Sequence, residues 1–254
     1  MPNVWDAGSA RILTALGFEC LGTSSGASAA RLARKDGEIS REEAFAHARE
    51  IVEATQLPIS ADLEDGFGES PSLVAETIRM AIDVGLAGAS IEDSTGEAGV
   101  PLYSLDLSVE RIHAAVEAAR RSSSPFTITA RAENFFRGAP DLDDAIRRLA
   151  AYEKGGADVL FAPALPDLDA VRAVCAAVSK PVSFMVGIRG KCFTVAELRE
   201  AGVKRISFGS SFYRAAMTGF LNAAQEVKQS GRFDYLDTAL TTPELNRLLQ
   251  NTQN

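Results

Sequence analysis

The sequence predicts a single (β/α)₈ barrel with an additional helix at its C-terminal end. The chain has 254 residues, which is about the usual size of one such barrel. Eight short apolar runs alternate with amphipathic helical runs, and helix-capping signals and glycines separate them. This repeated order predicts βα units on a parallel sheet. Eight such units favour a closed barrel over an open, doubly wound sheet.

The eight apolar runs have the length and composition of parallel strands that are covered on both faces. Strands are predicted at Pro2–Asp6, Cys20–Ser24, Ile59–Asp62, Gly88–Asp93, Phe126–Arg131, Val159–Pro163, Val182–Val186 and Arg205–Gly209. Between them, Val74, Ile78 and Ile82 form one of the apolar stripes that are typical of a helix. Capping boxes begin at Ser40 and Thr194, and each predicts the start of a helix.

No linker-like stretch divides the chain, so residues 1–254 are interpreted as one domain. Residues 1–230 are expected to form the barrel, and residues 231–254 a helical extension. The extension carries five leucines, which are Leu236, Leu240, Leu245, Leu248 and Leu249. This is more apolar surface than a free tail should expose, and it predicts a contact with another subunit.

Composition excludes several classes of function. The formal net charge of −8 argues against nucleic acid or an anionic membrane as the partner. No apolar stretch is long enough to span a membrane, and the first residues lack the features of a signal peptide. Cys20, Cys175 and Cys192 form no CxxC pair, which predicts reduced thiols and a cytoplasmic location. His47 and His113 both lie in helix-like runs, which argues against zinc sites and against Ser-His or Cys-His catalysis.

Acidic residues follow two neighbouring predicted strands, at the end of the barrel where catalytic groups lie. Asp62 ends the third strand and precedes Glu64, and Glu92 lies at the end of the fourth. Buried together, such carboxylates must bind protons, cations or a metal. Oxygen ligands without histidine or cysteine favour Mg²⁺, with Mn²⁺ as the alternative. Taken singly, loop acids such as Asp65 and Asp93 more often lie in solvent or in salt bridges.

Two further strand ends carry polar groups. Arg131 ends the fifth strand, where it can bind a substrate carboxylate through two hydrogen bonds or form an ion pair with Glu92 or Glu133. Both interpretations remain open, and they are compatible. Thr23–Gly26 offers hydroxyls and backbone amides that suit a carboxylate or an oxyanion. Gly209–Ser211 can bind a phosphate, as in some barrels, but a helix cap is favoured there.

Five of these segments together resemble the isocitrate lyase/phosphoenolpyruvate mutase superfamily. They are Pro2–Asp6, Ser24–Gly26, Ala61–Gly68, Ser90–Asp93 and Thr129–Arg131. The most specific are the acid-x-acid-x-Gly-aromatic-Gly motif that begins at Asp62 and the Ile-Glu-Asp that ends at Asp93. The resemblance extends over nearly the whole chain. It implies action on 2-oxo acids, or on 2-hydroxy acids that yield them.

The resemblance also implies a metal site. Asp62 would ligate Mg²⁺, and Glu64 and Glu92 would hold its water ligands. Glu64 stands where an aspartate is more common in the superfamily, so its longer side chain can ligate directly or shift the hydration shell. Asp36 matches an aspartate on a mobile segment over the site. Together with Glu92 and Arg131, it forms the catalytic set that the resemblance implies.

A substrate site follows from the same resemblance. Ser24, with the amides of Ser25 and Gly26, would bind the substrate carboxylate and its C2 oxygen. Arg131 would bind near the same carboxylate. Trp5, in the first matching segment, is assigned to the same substrate site.

The sequence departs from the better known members of the superfamily. Ser94–Pro101 replaces the loop of Lys-Lys-Cys-Gly-His type that carries the catalytic cysteine of isocitrate and methylisocitrate lyases. Arg34–Asp36 is only a partial match to the gating loop of phosphoenolpyruvate mutase. Pro163 stands in place of a glutamate, and Met185 in place of an asparagine. These differences point to the subgroup that is often labelled carboxyvinyl-carboxyphosphonate phosphorylmutase-like.

Three hypotheses of function follow. The first is a Mg²⁺-dependent lyase that cleaves a C–C bond of a 2-oxo or 2-hydroxy acid through a metal-stabilised enolate, as an oxaloacetate decarboxylase does. The second is P–C bond chemistry on a phosphonopyruvate-type substrate, for which Arg34, Lys35, Arg189 and Lys191 are the candidate cations. The third is a barrel that binds 2-oxo acids without turnover. By resemblance we expect a homotetramer, built from dimers that exchange a C-terminal helix.

Overall fold

The computed structural model describes residues 1–250 and contains an eight-stranded parallel barrel surrounded by helices. In chain order the barrel strands are β1 (Asn3–Val4), β2 (Leu21–Thr23), β3 (Ile59–Asp62), β4 (Gly88–Glu92), β7 (Thr127–Arg131), β8 (Val159–Phe161), β9 (Val182–Met185) and β10 (Arg205–Ser207). Each strand pairs in parallel with the next in this order. The predicted fold is confirmed, and each predicted strand contains an observed strand of equal or shorter length.

The barrel is nearly closed by contacts between its first and last strands. The α-amino group of Met1 donates a hydrogen bond to the carbonyl oxygen of Ile206 at 3.0 Å. The Oδ1 atom of Asn3 accepts hydrogen bonds from the amides of Phe208, at 2.7 Å, and Gly209, at 3.0 Å. These bonds fix the segment after β10 beside β1, at the same mouth where the other strands end.

Helices follow the strands on the outside of the barrel. They are α1 (Ala7–Ala15), α2 (Ser25–Arg31), α3 (Arg41–Ala54), α4 (Pro71–Val84), α5 (Leu105–Arg120), α6 (Leu142–Lys154), α7 (Leu168–Ala177), α8 (Val195–Glu200), α9 (Ser211–Ser230) and α10 (Thr242–Gln250). The capping boxes predicted at Ser40 and Thr194 are present. The predicted apolar stripe of α4 is buried at Val74 and Ile78, which are both 0% exposed. Helix faces of this kind, packed on the strands, form the core.

The segment after β4 forms a two-stranded antiparallel hairpin, β5 (Ser94–Glu97) and β6 (Val100–Leu102). Sequence analysis did not predict it, because its first strand reads Ser-Thr-Gly-Glu and lacks the apolar alternation of a half-buried strand. Gly96 and Gly99 both adopt positive φ angles, of 74° and 95°. The hairpin occupies the place in the chain where the sequence departs from the cysteine-containing loop.

The C-terminal extension is present, and its apolar surface begins earlier than predicted. None of the 20 residues of α9 is buried, and Phe220 and Leu221 are 70% and 52% exposed. A 3₁₀ turn at Asp234–Asp237 leads to α10, which lies against α1. Residues 251–254 of the predicted extension lie outside the described residues. Within residues 1–250, no helix is both long and apolar enough to cross a membrane.

Candidate active site

The C-terminal ends of the barrel strands surround a cavity of about 310 Å³. Six of the residues assigned to the site from the sequence line it, and they are Ser24, Ser25, Gly26, Asp36, Asp62 and Arg131. The carboxyl group of Asp36 lies beside Gly26, since a Cβ placed on this glycine would be 3.5 Å from Asp36 Cγ. The structure therefore brings the substrate-binding segment, the acid of β3 and the arginine of β7 to one place.

Asp62 is held by hydrogen bonds from two neighbouring strand ends. Its Oδ2 accepts from the hydroxyl of Ser25 at 3.1 Å, and its Oδ1 lies 3.3 Å from the hydroxyl of Ser90. Its own amide donates to Thr23 Oγ1 at 2.9 Å. Arg131 NH1 lies 3.5 Å from Asp62 Oδ1. These contacts fix the carboxylate of Asp62 in the lining of the cavity.

A second cavity, of about 250 Å³, lies beside the first and is lined by acids. Its lining includes Asp36, Glu64, Asp65, Glu92 and Arg137. Glu64 adopts a positive φ of 51°, and its Oε1 atom is buried without a hydrogen-bond partner in residues 1–250. Burial raises the pKa of Glu64 to about 8, and the charges of Asp62 and Asp36 add to this shift. A cation placed here would lower that pKa and satisfy the carboxylate.

Glu92 lies between two arginines at the end of β4. Its side chain is 4% exposed, with Arg131 at 3.2 Å and Arg137 at 2.9 Å. Burial raises the pKa of Glu92, and the guanidinium of Arg131 opposes this shift. Glu92 therefore lines the acidic cavity, and it also forms an ion pair with Arg131, which lines the first cavity.

Arg131 contacts three carboxylates of the chain. Its Nε bonds to Glu133, and its NH1 lies 3.2 Å from Glu92 and 3.5 Å from Asp62. The ion pairs that sequence analysis considered for this residue, with Glu92 and with Glu133, are both present. Arg131 also lines the first cavity. Its position is thus compatible with both interpretations, namely a structural partner and a substrate ligand.

The donor set of this region fits a hydrated divalent cation. The acidic cavity is lined by four carboxylates, those of Asp36, Glu64, Asp65 and Glu92, and by one guanidinium, that of Arg137. Two buried carboxylate oxygens, Glu64 Oε1 and Glu133 Oε2, have no hydrogen-bond partner in residues 1–250. In the same residues, no three acidic, histidine or cysteine side chains lie close enough to ligate one metal ion directly. The residues present therefore fit a divalent cation only if water molecules supply most of its ligands.

Sequence analysis missed several residues that face these cavities. Arg137, in the loop after β7, pairs with Glu92 and with Glu133. Arg189 and Arg214 line the first cavity from the loop after β9 and from the first turn of α9. A charged residue in a βα loop next to a buried acid is a signal that could have pointed to Arg137. Arg189 was considered only as one of the cations that could bind a phosphonopyruvate-type substrate.

Trp5 is not among the residues that line the first cavity. Its ring packs edge-on against Tyr213 of α9, with centroids 5.7 Å apart. Its carbonyl oxygen accepts a hydrogen bond from His47 Nε2 at 2.8 Å. The expected contact between Trp5 and substrate thus has no support in this geometry. The residue instead joins the end of β1 to α3 and α9.

Asp93 belongs to a separate network behind the strand ends. Its Oδ2 accepts from the hydroxyl of Tyr152 at 2.5 Å and from Arg148 at 3.1 Å, and its Oδ1 accepts from the amide of Glu133 at 2.8 Å. Asp93 is 2% exposed. Although it directly follows Glu92, it faces the helix layer and holds α6 to the barrel.

The loop that carries Glu64 is held from behind by α5. Arg111 is 1% exposed and donates to the carbonyl oxygens of Gly68 and Glu69, both at 2.5 Å. It also donates to the carbonyl oxygen of Asp65. The side chain of Asp65 accepts from the hydroxyl of Tyr103 at 3.1 Å. These bonds fix the backbone that positions Glu64.

The sequence matches a known protein family and known enzymes over most of its length. The family model described as phosphoenolpyruvate phosphomutase matches residues 1–228. The 2-methylisocitrate lyase of Escherichia coli is 32% identical over 206 residues, which cover 78% of this chain and 68% of the relative.

Solved structures show the same relationship. A Burkholderia cenocepacia protein, assigned only provisionally as a lyase or mutase, superposes with a TM-score of 0.95 at 48% identity, over 97% of this chain and 89% of that one. The 2,3-dimethylmalate lyase, described as a PEP mutase/isocitrate lyase superfamily member, superposes with a TM-score of 0.86 at 28% identity, over 98% and 88%. The superfamily resemblance predicted from the sequence is therefore confirmed, and the chain belongs to the phosphoenolpyruvate phosphomutase family, within the PEP mutase/isocitrate lyase superfamily of lyases and mutases.

Proposed function

We propose that the protein is a Mg²⁺-dependent lyase that cleaves a C–C bond of a 2-oxo or 2-hydroxy carboxylic acid, in the manner of an oxaloacetate decarboxylase. One observation carries the proposal. The carboxylate-binding segment Ser24–Gly26 and Arg131 share a cavity with Asp62, and this cavity adjoins an acidic cavity whose charge the arginines do not balance. Mn²⁺ is the alternative cation, because it accepts the same oxygen ligands.

The residues of the chain would bind the substrate at its C1 carboxylate and its C2 oxygen. The amides of Ser25 and Gly26 and the guanidinium of Arg131 would bind the C1 carboxylate. Asp62 would ligate the cation, with Glu64 and Glu92 on its water molecules. When bound, Mg²⁺ supplies a Lewis acid that draws electron density toward the C2 oxygen of the substrate.

Loss of CO₂ from the carbon next to such a carbonyl needs no protein base. The C–C bond breaks, its electron pair forms the enolate of a 2-oxo acid, and a proton from water then completes the product. This chemistry suits the site, because no histidine or cysteine lines either cavity in residues 1–250. Relatives support the substrate class. An oxaloacetate acetylhydrolase, solved with the product oxalate, is 26% identical with a TM-score of 0.86, over 98% of this chain and 88% of that one.

The structure gives less support to P–C bond chemistry. Of the four candidate cations, Arg189 alone is among the residues of the first cavity. Arg34 forms an ion pair with Glu43 at 2.7 Å, and Lys191 donates to the carbonyl oxygen of Ala164 at 2.9 Å.

A homo-oligomer and a cytoplasmic location also remain proposals. The exposed apolar side chains of α9, among them Phe220 and Leu221, continue into the extension at Leu236 and Leu240, both 60% exposed. A second copy of the chain, exchanging C-terminal helices, would cover this surface. Cys20, Cys175 and Cys192 are free thiols, as a reducing compartment requires.

The decisive experiment is a panel of 2-oxo and 2-hydroxy acids and diacids, assayed for release of pyruvate or another 2-oxo acid. Turnover of at least one compound is expected with Mg²⁺, and none with excess chelator. Asp62→Asn should abolish this turnover, whereas Asp83→Asn, on the exposed face of α4, should not. A barrel that binds oxalate but turns over no member of the panel would contradict the proposal and favour a non-catalytic binding protein.

A further inference from the structure

A third cavity lies inside the barrel, and we call it the interior cavity. Its volume is about 40 Å³, and each of the eight barrel strands contributes at least one residue to its lining. Valine, isoleucine and leucine usually fill the interior of such a barrel, but within residues 1–250 none of them lines this cavity. Ser60, Ser90 and Ser207 line it instead. Because about 10–15 Å³ is enough for one water molecule, the interior cavity has room for a small polar ligand.

The interior cavity is separate from the place assigned to the substrate. Asp62, Arg131 and Met185 line both the first cavity and the interior cavity, so they lie between the two. Ser207 pairs in register with Met185, and Arg205 comes two residues earlier on the same strand. At about 3.3 Å per residue, Arg205 is about 7 Å further along the strand from its C-terminal end. A ligand beside Arg205 would therefore lie beneath the groups of the proposed reaction.

Arg205 brings a positive charge into the barrel without an acidic partner. Its Nε donates to Ser183 Oγ at 3.1 Å, and its NH2 donates to Thr129 Oγ1 at 2.9 Å. Within residues 1–250 its guanidinium forms no ion pair, and its NH1 makes no hydrogen bond. Arg131, by contrast, contacts three carboxylates, and the buried Arg111 donates to three carbonyl oxygens. Arg205 thus differs from both in having only neutral hydroxyls as acceptors.

The surroundings of Arg205 destabilise its charge. Burial lowers the pKa of Arg205 to about 10, and only Cys20 among the described residues opposes this shift. A guanidinium nevertheless keeps its proton at neutral pH, and an unpaired buried charge is costly. The charge of Asp62, at the boundary with the first cavity, is already opposed by Arg131 at 3.5 Å. An anion inside the barrel would stabilise the charge that no carboxylate of residues 1–250 pairs with.

The other groups near Arg205 can donate hydrogen bonds. A hydroxyl that accepts a bond from Arg205, as those of Ser183 and Thr129 do, still has its own proton to donate. The hydroxyls of Ser60 and Ser207 line the interior cavity and make no hydrogen bond within residues 1–250. A guanidinium and hydroxyl protons together favour an anion and disfavour a cation. The small volume favours an anion of a single atom over a carboxylic acid or a phosphate.

We propose that the interior of the barrel binds one chloride ion, between the guanidinium of Arg205 and the hydroxyls around it. The site does not depend on the proposed function, because Arg205 belongs to neither the substrate site nor the metal site. Since the ion binds only the folded chain, the stability of the protein should increase with chloride concentration.

Two measurements on the complete chain test the site. In thermal unfolding, chloride replaces gluconate at constant sodium concentration, and about ten times the Kd of chloride should raise the wild-type Tm by about 3–6 °C. Arg205→Met, which keeps much of the side-chain volume and removes the charge, should lose this increase. Arg199→Met, at an exposed position of α8, is the control and should keep it. In wild-type crystals grown with bromide, the anomalous signal should show a bromide ion in contact with the Arg205 guanidinium.

The proposal requires both results. Water in place of bromide beside Arg205 would overturn it, whatever the unfolding data show. An increase in Tm that is as large in Arg205→Met as in the wild type would also overturn it, and so would a wild-type Tm that does not respond to chloride. If Arg205→Met does not fold, the wild-type titration and the bromide position decide. None of these results depends on lyase activity, so the proposed function is tested separately.

Discussion

Replacing Arg131 by methionine should separate its structural role from its role in binding. Methionine keeps much of the side-chain volume but removes the charge that Glu133 contacts through Arg131 Nε. The Glu133 side chain is fully buried, and its remaining partner, Arg137, lies 3.4 Å away. Breaking a buried pair by removing one member typically costs about 3–5 kcal/mol. Because Glu133 keeps its contact with Arg137, we expect the free energy of unfolding to fall by about 3 kcal/mol, near the lower end of this range.

The assay is thermal unfolding together with oxalate affinity in Mg²⁺. For a chain of this size, a loss of about 3 kcal/mol corresponds to a decrease in Tm of about 6–12 °C. Adding Glu133→Gln to Arg131→Met should restore at least about half of that loss, because a buried amide no longer needs a cation. The double variant should still bind oxalate about tenfold or more weakly, since the substrate has lost its guanidinium.

Two results would refute this reasoning. A decrease in Tm of only a degree or two in Arg131→Met would mean that the ion pairs of Arg131 contribute little to stability. Wild-type oxalate affinity in the double variant would leave Arg131 as a structural residue only. Arg131→Lys is the conservative control, because it keeps the charge but loses the planar fork of donors.

Three further predictions concern the metal, the assembly and the pH dependence. Asp62→Asn should weaken Mg²⁺ binding at least about tenfold in titration calorimetry with little change in Tm, and unaltered affinity would exclude Asp62 as a ligand. Sedimentation should give a mass well above the 27.0 kDa of one chain, and Phe220→Glu should reduce it, whereas a wild-type monomer at micromolar concentration would contradict the proposed assembly. Burial lowers the pKa of His47, so the folded state binds this proton less readily than the unfolded state, and stability should fall as the pH decreases below about 6.5. His47→Gln should flatten the dependence of Tm on pH between about 7.5 and 5.5, and an unchanged slope would show that other groups cause it.

The fold could be predicted because short runs with apolar residues alternate along the chain with helical runs that capping signals and glycines delimit. The same pattern located the strand ends, and the parallel sheet then placed Asp62, Glu92 and Arg131 at one mouth. Their mutual contacts could not be read from the sequence, because the reach of a side chain depends on the twist of the strands. The sequence therefore left open whether Arg131 pairs with Glu92, with Glu133 or with both.

Residues outside the strands were harder to place. Arg137 and Arg189 lie in loops, where no periodicity fixes the direction of a side chain. Trp5 follows a strand of only two residues, and its aromatic partner, Tyr213, comes from the other end of the chain. Contacts between residues so far apart in the sequence cannot be predicted from the local pattern of apolar and polar residues.

Glu92 and Asp93 are adjacent in sequence and nearly equally buried, yet they face opposite sides of the same strand end. The alternation of a strand directs one to the cavity and the other to α6. In a library of single substitutions both positions would score as intolerant, but for different reasons. Substitutions at Asp93 should reduce the amount of folded protein in the cell, whereas Glu92→Gln, which keeps the shape and removes the charge, should yield normal amounts of protein with less activity per molecule. A screen that records only growth would not distinguish these two effects. A screen that also records protein abundance would distinguish residues needed for folding from residues needed for catalysis.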